Sequence, residues 1–374
     1  MKFSMIFEAQ IVDTSRKAEF QIMHECVEQA VLAEEVGFDK VWAVEHHCLQ
    51  WYAHMSAPET FLAFVAAKTE RIRIGHGVVC LPFRMNHPVK VAERVAMLDI
   101  LSKGRVEFGI GKGGTPQEAG AFQTEIDEIP SQLEESARMI PDMWMNEFYE
   151  HHSETFDMPS RPILPKPHQE PHPPMYLACT RETTLNQAGE WGLGALVLGF
   201  GGPEDIAKKN EVYRAAVKRR TAESQIPRFP VEHLSALCPA IVLDDEQKAR
   251  AIGYRGQRYF TEAIGYWYDH TGQAQPPRAE IADMDDREVL EHAGETLVAY
   301  LNEEKIEVGT EATGMYNPNH AYGGAEDAIG YVERLVDAGA DEIMFLIQMG
   351  TVPQWAALDT IRNLGEKVIP NFRS

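Results

Sequence analysis

Glu45-His46-His47 is the first stretch whose residue types could do proton chemistry. It closes an apolar run, Lys40–Glu45 (KVWAVE), that reads as a strand. Side chains alternate across a strand, so one histidine is expected to face a shared site and the other to be packed or exposed. An imidazole there, ordinarily titrating near ~6.5, suits a general acid or base, and two satisfied structural histidines fit the same residues. A second candidate is Phe108-Gly109-Ile110-Gly111-Lys112-Gly113-Gly114-Thr115. Its glycines would let backbone approach a ligand, and free N–H groups with one cation make an anion nest; a flexible turn with a solvated lysine is the rival account. The spacing is not a dinucleotide fingerprint. A third is Ala178-Cys179-Thr180-Arg181-Glu182-Thr183-Thr184 at the start of a helix. Hydroxyls and N–H groups there suit a phosphate, and they equally suit plain N-capping by Thr180. Lastly, Gly75-His76-Gly77-Val78-Val79 places two glycines in a strand pattern. A bulge, a barrel kink or a planar ring lying against the backbone would each explain them.

These four stretches share one property: each follows a strand. Apolar runs at Met1–Glu8, Lys40–Glu45, Ile72–Val79, Val106–Ile110, Met175–Ala178, Ala195–Leu198, Leu234–Val242 and Glu342–Leu346 read as eight strands. Helical patterns follow them at Ala18–Gly37, Pro58–Thr69, Val89–Leu101, Leu133–Phe148, Glu182–Trp191, Glu204–Arg219, Glu246–Ile264 and Trp355–Val368. Eight strand–helix units predict an α/β fold, a (β/α)8 TIM barrel, in which the site lies at the carboxyl ends of the strands. The Pro-rich stretch Arg161–Pro174 is a long connection, and its histidines are expected to be solvated. One domain, 1–374, is expected, with an insertion at 265–324 between the seventh and eighth units. An insertion at a barrel rim is more often a lid or substrate wall than a linker. In it Val289, Leu290, Ala293, Leu297 and Leu301 would share a helix face.

Composition narrows the partners. Of 374 residues, 44% are hydrophobic and 25% charged, as in soluble domains, and the net charge is −22. Such a field repels phosphate polymers and anionic lipid, so neither nucleic acid nor a membrane is an expected partner, although a local phosphate site is compatible with it. No apolar run reaches bilayer length and no signal segment opens the chain. Five scattered cysteines argue against a disulfide framework and for a reducing cytoplasm. Cys80 and Cys179 read as buried thiols. No carboxylate–histidine cluster for a barrel metallohydrolase can be assembled, and no metal site is expected.

In combination the stretches resemble the bacterial luciferase-like family of flavin-dependent monooxygenases. The resemblance is carried by MKFSMIFE, by AEEVGFDKVWAVEHH, by IRIGHGVVCLPFRMNHPVKVAERVAMLDILSKGRVEFGIGKG, by GGAEDAIGYVERLVDAGADEIMF and, more loosely, by PPMYLACTRETTLNQAGEWGLGALV. It implies a TIM-barrel homodimer that receives reduced FMN (FMNH2) from a separate NAD(P)H:flavin reductase. With O2 as co-substrate, such an enzyme inserts one oxygen atom into a small organic substrate through a flavin hydroperoxide. By position, His46 is similar to the family's catalytic histidine, and His76-Gly77 falls where an unusual peptide bond lies against the flavin ring. Lys112 stands where luciferases have an arginine that binds the FMN phosphate, with Gly111 and Gly113 beside it as further candidate cofactor contacts, and Thr180 and Thr183 match hydroxyl contacts to the same group. Gly111 stands in place of a reactive cysteine, Cys179 in place of an acid, and a second phosphate-binding arginine has no match around Pro130–Leu133. Trp267, Tyr268, Phe83 and Met85 are candidate pocket walls. Within the same fold family the rival reading is deazaflavin-dependent hydride transfer; the non-enzymatic one is a flavin-binding protein without catalysis.

Overall fold

The computed structural model describes residues 1–113, 115–268, 275–291 and 319–373. The chain opens β1 (Lys2–Phe7), α1 (Arg16–Glu35), β2 (Lys40–Ala43), α2 (Pro58–Lys68), β3 (Arg73–Cys80), α3 (Pro88–Leu101), β4 (Val106–Gly111), α4 (Pro116–Ala121) and α5 (Ile129–Met145). A hairpin follows, β5 (Tyr149–His152) and β6 (Asp157–Arg161), then β7 (Met175–Cys179), α6 (Glu182–Trp191), β8 (Gly194–Val197) and α7 (Pro203–Arg219). Last come β9 (Leu234–Val242), α8 (Glu246–Tyr268), β10 (Ala321–Gly323), α9 (Ala325–Asp337), β11 (Glu342–Leu346) and α10 (Gln354–Asn363). Local chemistry sets many of the ends. Ser15 accepts a bond from the Ala18 N–H to open α1, and Gly37 follows it at φ +96. Proline occupies the first turn of α2, α3, α4, α5 and α7, where its missing N–H costs nothing.

Eight strands pair in parallel in the order β1-β2-β3-β4-β7-β8-β9-β11, and β11 pairs back on β1, closing the barrel. The eight are the eight apolar runs of the sequence, buried on both sides as a helix-wrapped parallel barrel requires. Residue size shapes the interior. A Cβ on Gly75 would lie 2.2 Å from the Trp42 indole, so the planar ring against this glycine is the protein's own. The β3–β4 register shifts between His76 and Val79, and the Gly77–Val78 peptide in that bulge is cis.

The helix that takes the seventh place in the outer ring is not the one its strand leads into. It is α9, which packs between α7 and the final helical turn Leu364–Val368, whereas α8 contacts α4, β9 and β10. α8 lies across the carboxyl ends of the barrel: Tyr259 Oη donates to Ile11 O at 3.4 Å, Phe260 packs edge-on against Tyr52, and Gly256 sits against Met349 and Val352. Buried Glu262 of α8 accepts from Arg278 Nη2 at 2.7 Å, pinning the described part of the insertion. Residues 269–274 and 292–318, with Ala293, Leu297 and Leu301, lie outside the described residues.

In the Pro-rich connection, His172 is buried rather than solvated. Its Nδ1 bonds Pro173 O at 2.8 Å, its Nε2 accepts from the Arg228 N–H at 3.0 Å, and its ring stacks on Phe229.

The amino-terminal end of the barrel is plugged by buried charge. Glu342 lies 2.9 Å from Lys40 Nζ and also accepts from Ser4 Oγ at 2.6 Å and Trp42 Nε1 at 2.9 Å, with His233 Nε2 at 2.8 Å. Lys40 further faces Glu107, itself paired with Arg73. Despite burial, Lys40 and those other donors hold the Glu342 carboxyl far below its ordinary range. Lys40→Met would strand buried Glu342, since Glu107 keeps Arg73, and is expected to cost about 3–5 kcal/mol in urea unfolding. A loss below about 1 kcal/mol would show that the plug does not depend on its cation.

Candidate active site

The loops that follow β2 and β4 meet on one carboxylate, Glu118 of α4, a helix that α8 contacts. Thr115 and Glu118 form a capping box that opens α4: Thr115 Oγ1 accepts from the Glu118 N–H at 3.1 Å, and Glu118 Oε2 accepts from Thr115 N and Oγ1 at 3.2 and 2.8 Å. The second oxygen, Oε1, turns to the loop after β2. It accepts the His47 N–H at 3.0 Å and bonds His46 Nδ1 at 3.1 Å. Burial opposes a charge on Glu118, yet the bond to His46, its positive charge and the His47 and Thr115 donors hold the carboxyl down to about 2. Burial favours neutral His46, but Glu118, Glu8 and Glu45 outweigh it and raise the imidazole. With Nδ1 on Glu118, the nitrogen left to work is Nε2.

The neighbouring histidine has a different task. His47 Nε2 bonds Glu45 Oε1 at 2.9 Å, and Glu45 also accepts from Asn86 Nδ2 at 2.7 Å and the Cys80 N–H at 2.8 Å. The two rings thus part, His47 into the structural network and His46 onto Glu118. Tyr52 lies 5.0 Å from the His46 ring, and Tyr268 of α8 lies 6.4 Å from Tyr52.

A cavity of about 290 Å³ opens beside this pair, lined among others by Met85, Lys112, Gly113, Glu118 and Arg181. Gly113 turns there at φ +75, a backbone that glycine tolerates; Gly114 is outside the described residues. Thr180 and Thr183 flank Arg181 at the exposed start of α6, and neither hydroxyl is hydrogen-bonded among the described residues. The cap there is not Thr180: Thr184 Oγ1 accepts from the Arg181 N–H at 3.2 Å and donates to Arg181 O at 2.8 Å.

Of the residues singled out from the sequence, Lys112 and Gly113 line the cavity and His46 adjoins it through Glu118, whereas Thr180 and Thr183 are not in its lining. Two further residues do not join them by side chain. His76 is buried edge-on to Phe108, which packs on Trp144 of α5, and burial pushes its imidazole down to about 4. Gly111 faces Val78, whose Cγ2 would lie 2.4 Å from an added Cβ, so this glycine makes room for the strand beside it. Met85 lines the cavity, Trp267 Nε1 donates to Gln50 O at 2.6 Å, and Phe83 packs outward on Phe156. Cys80 and Cys179 are buried, and burial pushes both thiols up. Sequence reasoning missed Glu118, Arg181 and Glu8. The Thr-x-x-Glu capping signature was the available signal for the first.

Known proteins bear on this geometry. A family model described as luciferase-like monooxygenase matches residues 1–336. The chain belongs to the luciferase-like monooxygenase family. It is 27% identical over 355 residues to the oxygenase component of a flavin-dependent trigonelline monooxygenase from Acinetobacter baylyi, covering 94% of this chain and 90% of that protein. An F420-dependent glucose-6-phosphate dehydrogenase from Amycolatopsis mediterranei is 33% identical over 174 residues, 45% of this chain and 51% of that one. The fold is shared with the oxygenating constituent of 3,6-diketocamphane monooxygenase from Pseudomonas putida, solved with FMN, at a TM-score of 0.73 and 18% identity over 99% and 98% of the two chains. Luciferase-like monooxygenases are flavin-dependent oxidoreductases, and F420-dependent enzymes are among the relatives. Among the described residues no helix is long and apolar enough to cross a membrane.

The ionised Glu118 gives a stability prediction. Its carboxyl falls from 4.5 to about 2 on folding, so its contribution, roughly 3 kcal/mol, is complete above the unfolded value and fades as pH drops toward 2. His46 runs the other way: a raised imidazole stabilises at low pH and loses that contribution as pH rises through its folded value. Denaturant unfolding of Glu118→Gln should therefore show a lower stability at pH ~6 and a flatter loss between pH ~5 and ~2 than the native chain. Parallel acid profiles would contradict the assignment.

Proposed function

We propose that the protein is the oxygenase of a two-component system, taking reduced FMN from a separate NAD(P)H:flavin reductase and, with O2, placing one oxygen atom on a small organic substrate. The observation that carries this reading is one cavity wall on which cations suited to a phosphate, Lys112 and Arg181, adjoin Glu118 and through it His46. The donor set fits FMN: two cations, two hydroxyls and the start of a ten-residue helix suit a phosphate dianion. When bound, reduced FMN supplies the electrons that activate O2. The chain's own part is to hold, cover and move protons. Lys112, Gly113, Arg181, Thr180 and Thr183 hold the phosphate. His76, Gly77 and Gly111 contribute through the shape of the β3–β4 edge. Phe260 and Tyr268 on α8 shield the mouth from water. His46 Nε2 gives or takes one proton at the reacting substrate, and Glu118 keeps that nitrogen forward.

A reductase partner is supported by the lack of a nicotinamide fingerprint and by a relative named as an oxygenase component. A second copy of the chain is a further expected partner, because Phe64 on α2 and Met97, Ile100 and Leu101 on α3 are exposed apolar residues. Five unpaired cysteines suit a reducing cytoplasm. The F420-dependent relative favours one second reading, hydride transfer with a deazaflavin at the same site.

Anaerobic titration decides between them. Reduced FMN is expected to bind more tightly than reduced riboflavin or F420, and Lys112→Ala and Arg181→Ala should each weaken FMN about 10- to 100-fold while leaving riboflavin unchanged. Binding of F420 alone would keep the fold and replace the reaction. Rapid NADH oxidation by the protein with free FMN would remove the reductase.

A further inference from the structure

Six tyrosines are buried among the described residues, and five of their hydroxyls are hydrogen-bonded within the chain. Tyr213 donates to Leu193 O at 2.9 Å, Tyr259 to Ile11 O at 3.4 Å and Tyr322 to Gln257 Oε1 at 3.2 Å. Tyr176 accepts from Lys40 Nζ at 3.3 Å, and Tyr331 meets His320 Nδ1 at 3.0 Å. A buried phenol ordinarily has such a partner, because leaving the bond unmade costs the desolvation of the hydroxyl. Tyr52 is the sixth. It is 5% exposed, and its hydroxyl bonds nothing among the described residues.

The loop that carries Tyr52 folds back on its own start. The His46 N–H donates to Met55 O at 3.1 Å, Leu49 bridges Ala53, and the His54 N–H donates to Glu8 O at 3.2 Å. Two residues of this loop other than glycine, Cys48 at φ 61 and Trp51 at φ 66, take the left-handed backbone. Strain of that kind persists where the surrounding structure fixes it, and it clusters at ligand sites. The fold-back sets the Tyr52 ring 5.0 Å from the His46 ring. Phe260 and Tyr268 of α8 hold it edge-on from the other side, at 5.6 and 6.4 Å. Burial, then Glu8, pushes the phenol well above its ordinary range, so it keeps its proton and remains a donor.

The geometry points to Tyr52 as a specificity-determining residue: its hydroxyl donates to a carbonyl oxygen of the substrate beside His46, and the substrate class is a ketone or an aldehyde. A carbonyl oxygen has two lone pairs, one for Tyr52 and one for the imidazole when Nε2 carries a proton. A hydrocarbon would leave the buried phenol as bare as it is without a ligand. The rest of the surface around Tyr52 is aromatic, which suits the carbon skeleton of such a molecule. Its use in turnover rests on the oxygenase reading, whereas recognition of a carbonyl oxygen does not.

The test uses the full chain, with and without oxidised FMN, which keeps turnover out of the readout. Calorimetry should show cyclohexanone and benzaldehyde binding more tightly than methylenecyclohexane and styrene, which have the same shapes without the oxygen. Tyr52→Phe keeps the ring against Phe260 and should weaken the two carbonyl compounds about 3- to 10-fold, leaving the two hydrocarbons and FMN unchanged. The carbonyl infrared stretch of bound cyclohexanone should lie at lower frequency in the native chain than in Tyr52→Phe. The inference is overturned by the absence of a carbonyl preference in the native chain or by a preference that Tyr52→Phe keeps. Tighter binding of cyclohexanol than of cyclohexanone, or weakened FMN in the variant, would overturn it as well. If the preference is found and lost as expected but no oxygenation occurs, the proposed function fails and the carbonyl site stands.

Discussion

A single carboxylate, Glu118, ties the site together, because it does two jobs with two oxygens. One oxygen closes the capping box that starts α4, and the other holds His46 and the backbone of His47. The loop after β4 and the loop after β2 are thereby locked at one point. Their ends carry Lys112 and His46 respectively, so the cavity between them has a fixed shape. Removing one partner of such a buried unit leaves the other uncompensated, which is why the contact constrains the mouth more than its bond count suggests.

The barrel uses the same device at its other end, with a different cation and a different consequence. Glu342 gathers Ser4, Trp42, Lys40 and His233 at the amino-terminal ends of the strands, as Glu118 gathers Thr115, His46 and His47 at the carboxyl ends. A lysine beside a buried carboxylate stays charged across the working pH range, so that end is a permanent plug. An imidazole beside one is a far weaker base than lysine, so the other end can gain and lose a proton. The distinction matches the general division of these barrels into a stability face and a chemistry face.

Much of this was legible in the sequence. The eight strands, the positions of most helices and the placement of His46 and Lys112 follow from periodicity and from what each strand leads into. Capping residues such as Ser15 and Gly37 were legible for the same local reason. What escaped depends on contacts between distant segments. The pattern at Glu246–Ile264 is helical, as found, but only the closed barrel shows that α8 crosses the mouth while α9 takes the ring position. Gly75 and Gly111 left room for a ligand as one of several readings, and it is Trp42 and Val78 that fill that room. Thr180 was a good local cap, but Thr184 serves Arg181 instead. Tyr52 carries no motif at all; its place against His46 exists only once the loop after β2 folds back.

The most direct test of the account is the tautomer of His46, read from nitrogen-15 NMR of the full chain across pH. The bond to Glu118 puts the neutral ring's proton on Nδ1, with Nε2 expected to titrate at a midpoint above the ordinary ~6.5. A proton on Nε2 with a bare Nδ1, or a midpoint below that value, would contradict it.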